Sequence, residues 1–494
     1  MNLTNRRTFL KTSALASAGL VLSAKSWGQV TNANSDVRIA VIGLNGRGKN
    51  HISSIQKAKG VRLVAVCDAD SAVLAHTLAS LDSSVKGYSD LRELFNSPDV
   101  DAVTIAMPNH WHSLAAIWAC EAGKDVYVEK PVSHNIWEGR QLVSAAAKYN
   151  RIVQAGTQIR SGEGLREAVA WIQAGNLGKI TVARGFCYKY RGSIGKTTGA
   201  QPVPKSVNYD LWSGPAALEE LHRKRLHYDW HWHYETGNGD VGNQGIHQMD
   251  VARWFLGETG LPRHTLSVGG RLGYVDDGNT PNTQVVMHDY ATAPLVFEVR
   301  GLPGKKVTTG GGDDSGSVEA AEARASLMDK YKGVSIGNVI DCEGGYLVTS
   351  EYFTATAFDH SGKMVKHFKG VDRHMQNFID VVKSRKSADQ YGPVTEGHTS
   401  SALCHLGNIS HRLGQEAAGK EIRETLSSTP SLAEAFGRMA DHLKLNGVRL
   451  KETQLSLGAM LAVDTAKESF INNPAADAML KRAYRGAYVV PQIA

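Results

Sequence analysis

Two groups of polar side chains in this sequence have residue types and neighbours that suit chemistry. A Glu-Lys-Pro tripeptide, Glu129 to Pro131, follows a short β-branched run, and His247 lies in a glycine-rich segment over residues 237–254. A lysine can stabilise a developing alkoxide and relay a proton, and the unperturbed pKa of an imidazole lies near working pH. We predict that Lys130 and His247 are catalytic; the alternative for Lys130 is a surface lysine at a strand end.

A glycine-rich turn near residue 45 has the spacing of a phosphate-binding loop. Gly43-Leu44-Asn45-Gly46-Arg47-Gly48 follows a predicted strand over 37–42 and precedes a predicted helix over 49–59. Such a turn needs glycine for the bend, a bare backbone beside the pyrophosphate and a small residue for packing. Gly43 and Gly48 fill the first and third places. Asn45, which tolerates left-handed backbone, takes the second beside Gly46.

The ends of the following predicted strands supply further cofactor contacts. Asp68 ends a strand over 61–67, where a carboxylate binds the adenosine ribose and repels a 2′-phosphate, so we predict NAD rather than NADP. A helix N-cap is the alternative for Asp68. The loops after strands 99–107 and 125–128 complete the site. The predicted cofactor contacts are Gly43, Asn45, Gly46, Arg47, Gly48, Asp68, Pro108, Asn109, His110, Glu129 and Lys130.

A second set of polar residues is expected to contact the substrate. It comprises Lys130, Arg160, His231, His233, Asn243 and His247. His231 and His233 would point the same way on a strand, which also suits a metal, but no carboxylate or cysteine stands at suggestive spacing. We therefore predict sugar contact or structural bonding, and no metal site. The same question and answer apply to His110 and His112.

The Glu-Lys-Pro tripeptide after a parallel strand resembles the signature of the glucose–fructose oxidoreductase / inositol dehydrogenase / rhizopine catabolism family (Gfo/Idh/MocA). The resemblance extends from Val37 to about Gly414. It implies that Lys130 meets a substrate hydroxyl near the nicotinamide and that Pro131 helps to place it, often through a cis bond.

The segment 237–254 is similar to the glycine-rich turn of the same family, which runs into a helix bearing an Asp and, four residues later, a His. His247 matches the His, and Asn243 stands in the place of the Asp. Four-residue spacing would put both on one helical face. Asn243 cannot transfer a proton, so the sequence departs from simple inositol dehydrogenase chemistry. Asp250 is expected to bond Arg253 or the backbone, or to contact the substrate.

The predicted elements indicate an α/β chain with two folded domains. The first is a Rossmann doubly wound parallel sheet over residues 35–159. The second is an α+β domain over 160–430 with a large, mostly antiparallel open sheet, followed by a C-terminal extension over 431–494. We expect the extension to lie across the second domain. A loop at 310–317 is predicted to be a mobile linker or cover, and the family resemblance implies a homodimer or homotetramer.

The first 34 residues resemble a twin-arginine export signal. Arg6 and Arg7 precede Phe-Leu-Lys and a mildly apolar run over 12–24 that is too short for a stable membrane span. We predict a periplasmic protein that crosses the membrane folded and carries its cofactor tightly bound. The net charge of +7 is dispersed, which argues against nucleic-acid binding, and five scattered cysteines argue against a disulfide framework or structural zinc.

These observations predict an oxidoreductase that moves a hydride between a trapped nicotinamide cofactor, NAD or else NADP, and a hydroxyl of a sugar, glycoside or polyol. An NAD-dependent glycosidase, acting by transient oxidation and elimination, is the alternative. A non-catalytic sugar-binding protein is the third hypothesis.

Overall fold

The nucleotide-binding domain is built on a parallel six-stranded sheet. The computed structural model describes residues 36–304 and 324–493. The strands are β1 (Val37–Ile42), β2 (Val61–Cys67), β3 (Lys86–Tyr88), β4 (Ala102–Ile105), β5 (Asp125–Val128) and β6 (Val153–Ala155). They are ordered β3-β2-β1-β4-β5-β6, and every pair is parallel. Ligands bind such sheets beside the carboxyl ends of β1 and β4, where the strand order reverses.

Helices cover both faces of this sheet, which explains its almost continuous apolar strands. They are α1 (Arg47–Lys57), α2 (Ser71–Leu78), α3 (Leu91–Phe95), α4 (His112–Glu121) and α5 (Ile136–Lys148). β4 and β5 are buried along their whole length. Separate apolar clusters fill the two faces, one around Ile105 and Leu114 and the other around Ile39 and Phe378. The predicted doubly wound domain is therefore confirmed.

The second domain contains a large mixed sheet. Its strands are β7 (Ile180–Tyr188), β8 (His264–Gly270), β9 (Thr283–Asp289), β10 (Leu295–Arg300), β11 (Ile336–Cys342), β12 (Gly345–Thr349), β13 (Ala355–Asp359), β14 (Met364–Phe368), β15 (Gln415–Ala417), β16 (Leu455–Leu457), β17 (Leu461–Asp464) and β18 (Ser469–Phe470). The central order is β14-β13-β12-β11-β7-β10-β9-β8-β16-β15. β7 and β10 run parallel, and the other pairs in the described ranges are antiparallel.

Helices also pack on the large sheet of the second domain. The remaining helices are α6 (Glu163–Gln173), α7 (Tyr209–Ser213), α8 (Leu226–Asp229), α9 (Ile246–Leu256), α10 (His374–Ser384), α11 (Val394–Arg412), α12 (Gly419–Leu426), α13 (Pro430–Leu445) and α14 (Pro474–Asp477). α6, α9 and α11 share one apolar cluster with the sheet, and α12 and α13 share another. None of the helices in the described ranges combines the length and apolarity needed to cross a bilayer.

The sequence located most strands but misassigned several segments. The predicted strands over 61–67, 125–128 and 283–289 have the observed bounds. The predicted strand around His231 and His233 is wrong, because Trp230–Trp232 forms a 3-10 helix. The short strands β15 to β18 were not predicted. The export signal and the loop at 310–317 lie outside the described residues.

The C-terminal extension reaches both domains, not only the second. α13 packs against β9 and β10, as expected for a segment lying across the large sheet. The last residues instead return to the nucleotide-binding domain, where Tyr488 and Val490 join the apolar cluster of α4 and α5. The end of the chain therefore links the two domains.

Candidate active site

A single cavity of about 560 Å³ joins the carboxyl edge of the parallel sheet to the second domain. Most of the residues predicted for the cofactor and substrate line it: Gly43, Asn45, Gly46, Arg47, Asp68, Pro108, Asn109, Glu129, Lys130, His231, Asn243 and His247. Gly48, His110, Arg160 and His233 were also predicted but are not among the lining residues. The cavity thus brings both predicted catalytic side chains beside the glycine turn.

The glycine turn leaves bare backbone where a pyrophosphate would lie. Gly43 has φ +84°, and a Cβ there would stand 2.6 Å from the carbonyl oxygen of Ala106. Gly46 has φ +43° and open space where its Cβ would be, and no described side chain caps α1, which begins at Arg47. The positive-φ residues of this turn are therefore Gly43 and Gly46 and not Asn45, which corrects the expectation from sequence. The N-terminus of α1 keeps its amide donors and positive dipole end for an anion.

Gly48 belongs to the packing of this turn and not to the cavity wall. A Cβ on Gly48 would lie 1.9 Å from the carbonyl oxygen of Gly43. Its backbone N–H donates to the carbonyl oxygen of Asn45 at 2.9 Å. The predicted direct cofactor contact is replaced by close backbone packing between α1 and the strand that precedes it, which is the third glycine's role in such turns.

Asp68 presents its carboxylate on the cavity wall at the end of β2. Its oxygens accept hydrogen bonds from the backbone N–H groups of Leu44 and Asp70, both at 2.9 Å. Burial raises the pKa of Asp68 despite these two bonds. The helix-cap alternative is wrong, because Asp70 caps α2 by accepting from Ala72 and Val73. Asp68 is left in place to meet a ribose.

Glu129 is the buried anion of the site. Arg47 Nε donates to it at 2.7 Å, His51 Nε2 lies 3.0 Å from the same oxygen, and Gln158 Nε2 donates to it at 3.0 Å. Burial alone would raise the pKa of Glu129, but His51, Arg47 and Lys130 together hold that pKa well below its usual range. The carboxylate is therefore ionised and fixes Arg47 at the cavity wall.

Lys130 connects the two domains across the cavity. Its Nζ donates to the backbone carbonyl oxygen of Asn243 at 2.5 Å. Burial, with the charges of Arg47 and Lys189, lowers the pKa of Lys130 although Glu129 opposes the shift. The Lys130–Pro131 peptide bond is cis, in the form that the family resemblance implied.

His247 lies on α9, immediately after a π-helical turn over Val241–Gly245. Its ring centroid is 5.4 Å from that of Tyr352, and its buried Nδ1 has no hydrogen-bond partner among the described residues. Burial and the charge of Lys130 lower the pKa of His247 to about 3. With its pKa lowered in this way, the imidazole is uncharged near neutral pH. The π turn also replaces the regular helical spacing expected between Asn243 and His247, although both still line the cavity.

Arg160 and Asp250 bind each other instead of lining the cavity. Arg160 Nε lies 2.8 Å from Asp250, and its Nη2 lies 3.0 Å from Glu396. Ser400 Oγ also donates to Asp250 at 2.5 Å. The predicted substrate contact of Arg160 is corrected to a buried ion pair. The structural interpretation of Asp250 holds, with Arg160 rather than Arg253 as its nearest cation.

Two of the predicted histidines also point away from the cavity. The ring nitrogens of His110 lie 3.2 Å and 3.0 Å from the carbonyl oxygens of Thr236 and Trp212, so His110 joins two segments of the fold. His233 follows the 3-10 helix, and only His231 of the pair lines the cavity. In the described ranges, no group of three or more His, Cys, Asp or Glu side chains could hold a metal ion.

His112, considered with His110, lines the cavity while its ring nitrogens lie 2.6 Å and 2.7 Å from the carbonyl oxygens of Pro131 and Met107. The structure adds cavity residues that were not predicted from the sequence. They are Gln158, Lys189, Arg191, Trp212, His227, Tyr228, Trp230, Gln244 and Tyr352. Lys189 and Arg191 follow β7, so strand-end position could have identified them. Most of the others lie in helices or helical turns, many of them too short to show hydrophobic periodicity, so the sequence offered no signal for them.

The end of the chain braces one wall of the cavity. Leu211 and Trp212 of α7 line the cavity, and Trp111 Nε1 donates to their carbonyl oxygens at 3.1 Å and 3.0 Å. Beneath them, Arg485 and Tyr488 donate to the two carboxylate oxygens of Asp210 at 2.6 Å and 2.8 Å. The Tyr488 ring packs edge-on against Trp111, with centroids 5.6 Å apart. The C-terminal segment therefore fastens this wall to the nucleotide-binding domain.

Two family models match consecutive parts of this chain. One, described as "Oxidoreductase family, NAD-binding Rossmann fold", matches residues 37–157. The other, described as "Oxidoreductase family, C-terminal alpha/beta domain", matches residues 131–270. The chain belongs to the Gfo/Idh/MocA oxidoreductase family. As a member of that family, it has a Rossmann domain of the type that binds a nicotinamide cofactor, placed against the large sheet described above.

Some relatives of this Gfo/Idh/MocA chain are named as glycosyl hydrolases and another is named as a dehydrogenase. A "Glycosyl hydrolase family 109 protein" of Shewanella pealeana is 28% identical over 204 residues, covering 36% of this chain and 44% of that protein. A "Levoglucosan dehydrogenase" of Pseudarthrobacter phenanthrenivorans is 27% identical over 223 residues, covering 42% and 49% respectively. The chain thus spans about half the length of these relatives.

Solved structures share the fold at low sequence identity. The WlbA dehydrogenase of Bordetella pertussis, in complex with NADH and UDP-GlcNAcA, has a TM-score of 0.53 at 18% identity and covers 76% of this chain and 97% of that one. An NAD binding oxidoreductase of Klebsiella pneumoniae has a TM-score of 0.55 at 19% identity, covering 76% and 96%. These likenesses concern the fold alone.

Proposed function

We propose that this chain transfers a hydride between a tightly bound NAD and a hydroxyl-bearing carbon of a sugar, glycoside or polyol. One observation carries the proposal: the Gly43 turn, the Lys130 side chain and the His247 imidazole line one cavity of about 560 Å³. That volume lies within the range of roughly 300–1,000 Å³ typical of small-molecule sites.

The residues at the sheet edge fit NAD. Gly43 and Gly46 leave room for a pyrophosphate, and the uncapped N-terminus of α1 favours its charge. Asp68 suits a ribose diol and opposes a 2′-phosphate, which favours NAD over NADP. When bound, the nicotinamide ring supplies the hydride acceptor.

Lys130 and His247 have different roles at the substrate hydroxyl. The bond from Lys130 Nζ to the carbonyl oxygen of Asn243 holds the amine in place. Because burial lowers the pKa of Lys130, its neutral amine is populated nearer to working pH and can take the hydroxyl proton. The imidazole of His247, with a pKa of about 3, stays neutral and accepts a hydrogen bond that orients the hydroxyl. Lys130 thus takes the hydroxyl proton, and His247 orients the hydroxyl.

The second-domain wall suits a carbohydrate. The side-chain amides of Asn243 and Gln244 both donate and accept hydrogen bonds, and the aromatic residues Trp230 and Tyr352 line the same cavity beside them. The name of the Pseudarthrobacter relative, levoglucosan dehydrogenase, agrees with this substrate class.

A second candidate is an NAD-dependent glycosidase, which the relatives named glycosyl hydrolase family 109 favour. In that reaction a ring carbon is oxidised, the neighbouring C–H loses its proton, the aglycone leaves by elimination, water adds to the resulting double bond, and the hydride returns. Net cofactor reduction would be absent. The same cavity serves both reactions, so the product distinguishes them.

We further propose that residues 1–34 direct export to the periplasm with the cofactor already bound. The paired Arg6 and Arg7 support the export route. The brace formed by Arg485 and Tyr488 supports retention of the cofactor. Replacing both arginines of the pair by lysine should leave the protein in the cytoplasm, and periplasmic recovery of that variant would oppose this proposal.

The direct experiment is cofactor analysis followed by a sugar screen. Purified protein is denatured, the released nucleotide is identified by mass spectrometry, and native protein is mixed with sugars, polyols and glycosides. We expect NAD and a near-ultraviolet absorbance change with at least one carbohydrate. Aglycone release without net absorbance change would select the glycosidase. Neither change, in protein carrying NAD, would refute both enzymatic functions.

A further inference from the structure

A second cavity, of about 320 Å³, adjoins the main one on the side of the large sheet. Lys189, Gln244 and Tyr352 line both cavities, so the two spaces meet at these side chains. The Tyr352 ring contacts His247 on one side, and its hydroxyl lies 3.3 Å from Gln244 Nε2. A molecule whose reacting hydroxyl lies near Lys130 and His247 would enter the second space by passing these three side chains, none of which is buried.

The floor of the second cavity is fixed by hydrogen bonds. Asn338 of β11 donates through Nδ2 to the carbonyl oxygens of Gln248 and Arg184, at 2.7 Å and 3.1 Å. Its backbone N–H donates to Thr349 Oγ1 of β12 at 3.0 Å. Three strands, β7, β11 and β12, and helix α9 thus hold a preformed polar surface, which lowers the entropic cost of binding a ligand there.

The chemistry of the lining fits an uncharged hydroxylated group. Most of its polar groups are amides and hydroxyls, including Gln248, Asn338 and Ser350. Among its lining residues, all of which the structure describes, Lys189 is the one cation and Glu351 the one carboxylate. A diphosphate would gain no arginine fork here and would meet the Glu351 carboxylate. Asn338 already uses both of its side-chain N–H groups within the protein, whereas the exposed hydroxyls of Ser350 and Tyr352 can donate to and accept from sugar hydroxyls.

We propose that this second cavity binds the part of a glycoside or oligosaccharide that lies beyond the oxidised ring. The substrate is then an uncharged glycoside larger than one monosaccharide, and it is not a nucleotide sugar. This inference rests on the proposed function, because it assumes that the reacting ring occupies the main cavity.

The test compares Ser350→Trp with wild-type holoenzyme on matched substrates. Ser350 is an exposed rim residue, so a tryptophan there fills the second cavity from its edge. The probes are free hexoses, the p-nitrophenyl glycosides and disaccharides of the same hexoses, and a uridine diphosphate hexose. We expect wild type to prefer the glycosides in kcat/KM. Ser350→Trp should lower the ratio of glycoside to hexose kcat/KM about tenfold, mainly through KM.

Two further variants keep the result interpretable. Glu351→Ala removes one exposed acceptor and should lower the same ratio about threefold, which provides an answer if Ser350→Trp folds poorly. Ser361→Trp places the same residue on the exposed β13–β14 hairpin and should leave the ratio unchanged.

Three outcomes would overturn the subsite. The first is that neither rim variant changes kcat/KM for any substrate. The second is that the rim variants lower kcat/KM equally for hexoses and glycosides. The third is that wild type prefers the uridine diphosphate hexose to the uncharged glycosides. Failure of every carbohydrate to react with wild type would instead refute the proposed function, so the two failures are distinguishable.

Discussion

The two halves of the main cavity are built in different ways. The cofactor half uses backbone: Gly43 and Gly46 form a turn with no side chain over the pyrophosphate position, and Asp68 is held by two backbone N–H groups. The substrate half uses side chains from distant segments, among them Lys130, His247 and Tyr352. Backbone geometry suits a constant group such as a dinucleotide, whereas side chains can be exchanged to change substrate.

Lys130→Met should show that the substrate half can lose its chemistry while the cofactor half keeps its binding. Removing the amine should lower kcat about 10³-fold, within the range of acid–base groups, because the hydroxyl proton loses its acceptor. The NAD content of the purified variant should stay close to that of wild type, because the Gly43 turn and the Asp68 carboxylate are unchanged. Lys148→Met, an exposed change in the same domain, serves as the control. Unchanged turnover in Lys130→Met would remove Lys130 from the mechanism.

Asp68→Asn should weaken NAD binding in the cofactor half. The amide has a single acceptor oxygen, so it can accept from only one of Leu44 and Asp70, and it loses the charge that would meet a ribose. A hydrogen bond to a charged group contributes about 1.5–3 kcal/mol, so we expect NAD to bind about tenfold more weakly and NADP to bind better. Fluorescence titration of cofactor-stripped protein measures both. Asp82→Asn, at an exposed turn, should change neither, and an unaltered NAD affinity in Asp68→Asn would contradict the assignment.

The hydrogen bonds of Arg485 and Tyr488 to Asp210 should control the dissociation rate of the cofactor. In an Arg485→Ala/Tyr488→Phe variant, Asp210 loses both partners and the wall at Trp212 loosens. We expect the NAD dissociation rate to rise about fivefold, roughly 1 kcal/mol, with little change in KM for the sugar. Dissociation is followed by trapping released NAD. Arg449→Ala, an exposed change elsewhere in the extension, is the control. An unchanged rate would assign the brace to stability alone.

The smallest expected effect concerns pH. Burial lowers the pKa of His247 and His231 in the substrate half to about 3. Other buried histidines share this shift: His110, His288 and His405. The unfolded chain, with histidine pKa values near about 6.5, binds more protons, so stability is complete above that pH and falls as pH drops toward about 3.

The measurement is Tm of cofactor-stripped protein between about pH 7.5 and pH 5. Tm should decrease by several degrees on acidification. His247→Asn should flatten the decrease slightly, whereas His222→Asn at the surface should not. A Tm that rises on acidification would contradict the neutral state of these imidazoles.

The cofactor half of the cavity could be predicted from the sequence better than the substrate half. The cofactor half could be predicted because its strands are apolar runs and its turn requires glycine at Gly43 and Gly48, which are local signals. The substrate half was only partly predictable. Asn243 and His247 came from a family resemblance, whereas Tyr352 and Trp230 lie in short segments that tertiary packing alone brings together. Arg160 and His110 were misassigned because sequence does not show whether a buried polar group already has a partner.

The most direct test of hydride exchange is isotope transfer in a single turnover. Protein carrying its own NAD is mixed with a reactive carbohydrate deuterated at its ring carbons, quenched, and its nucleotide is analysed by mass spectrometry. We expect deuterium on the nicotinamide ring in wild type, and almost none at the same quench time in Lys130→Met. Conversion of the carbohydrate with no deuterium on the nucleotide at any time would contradict hydride exchange.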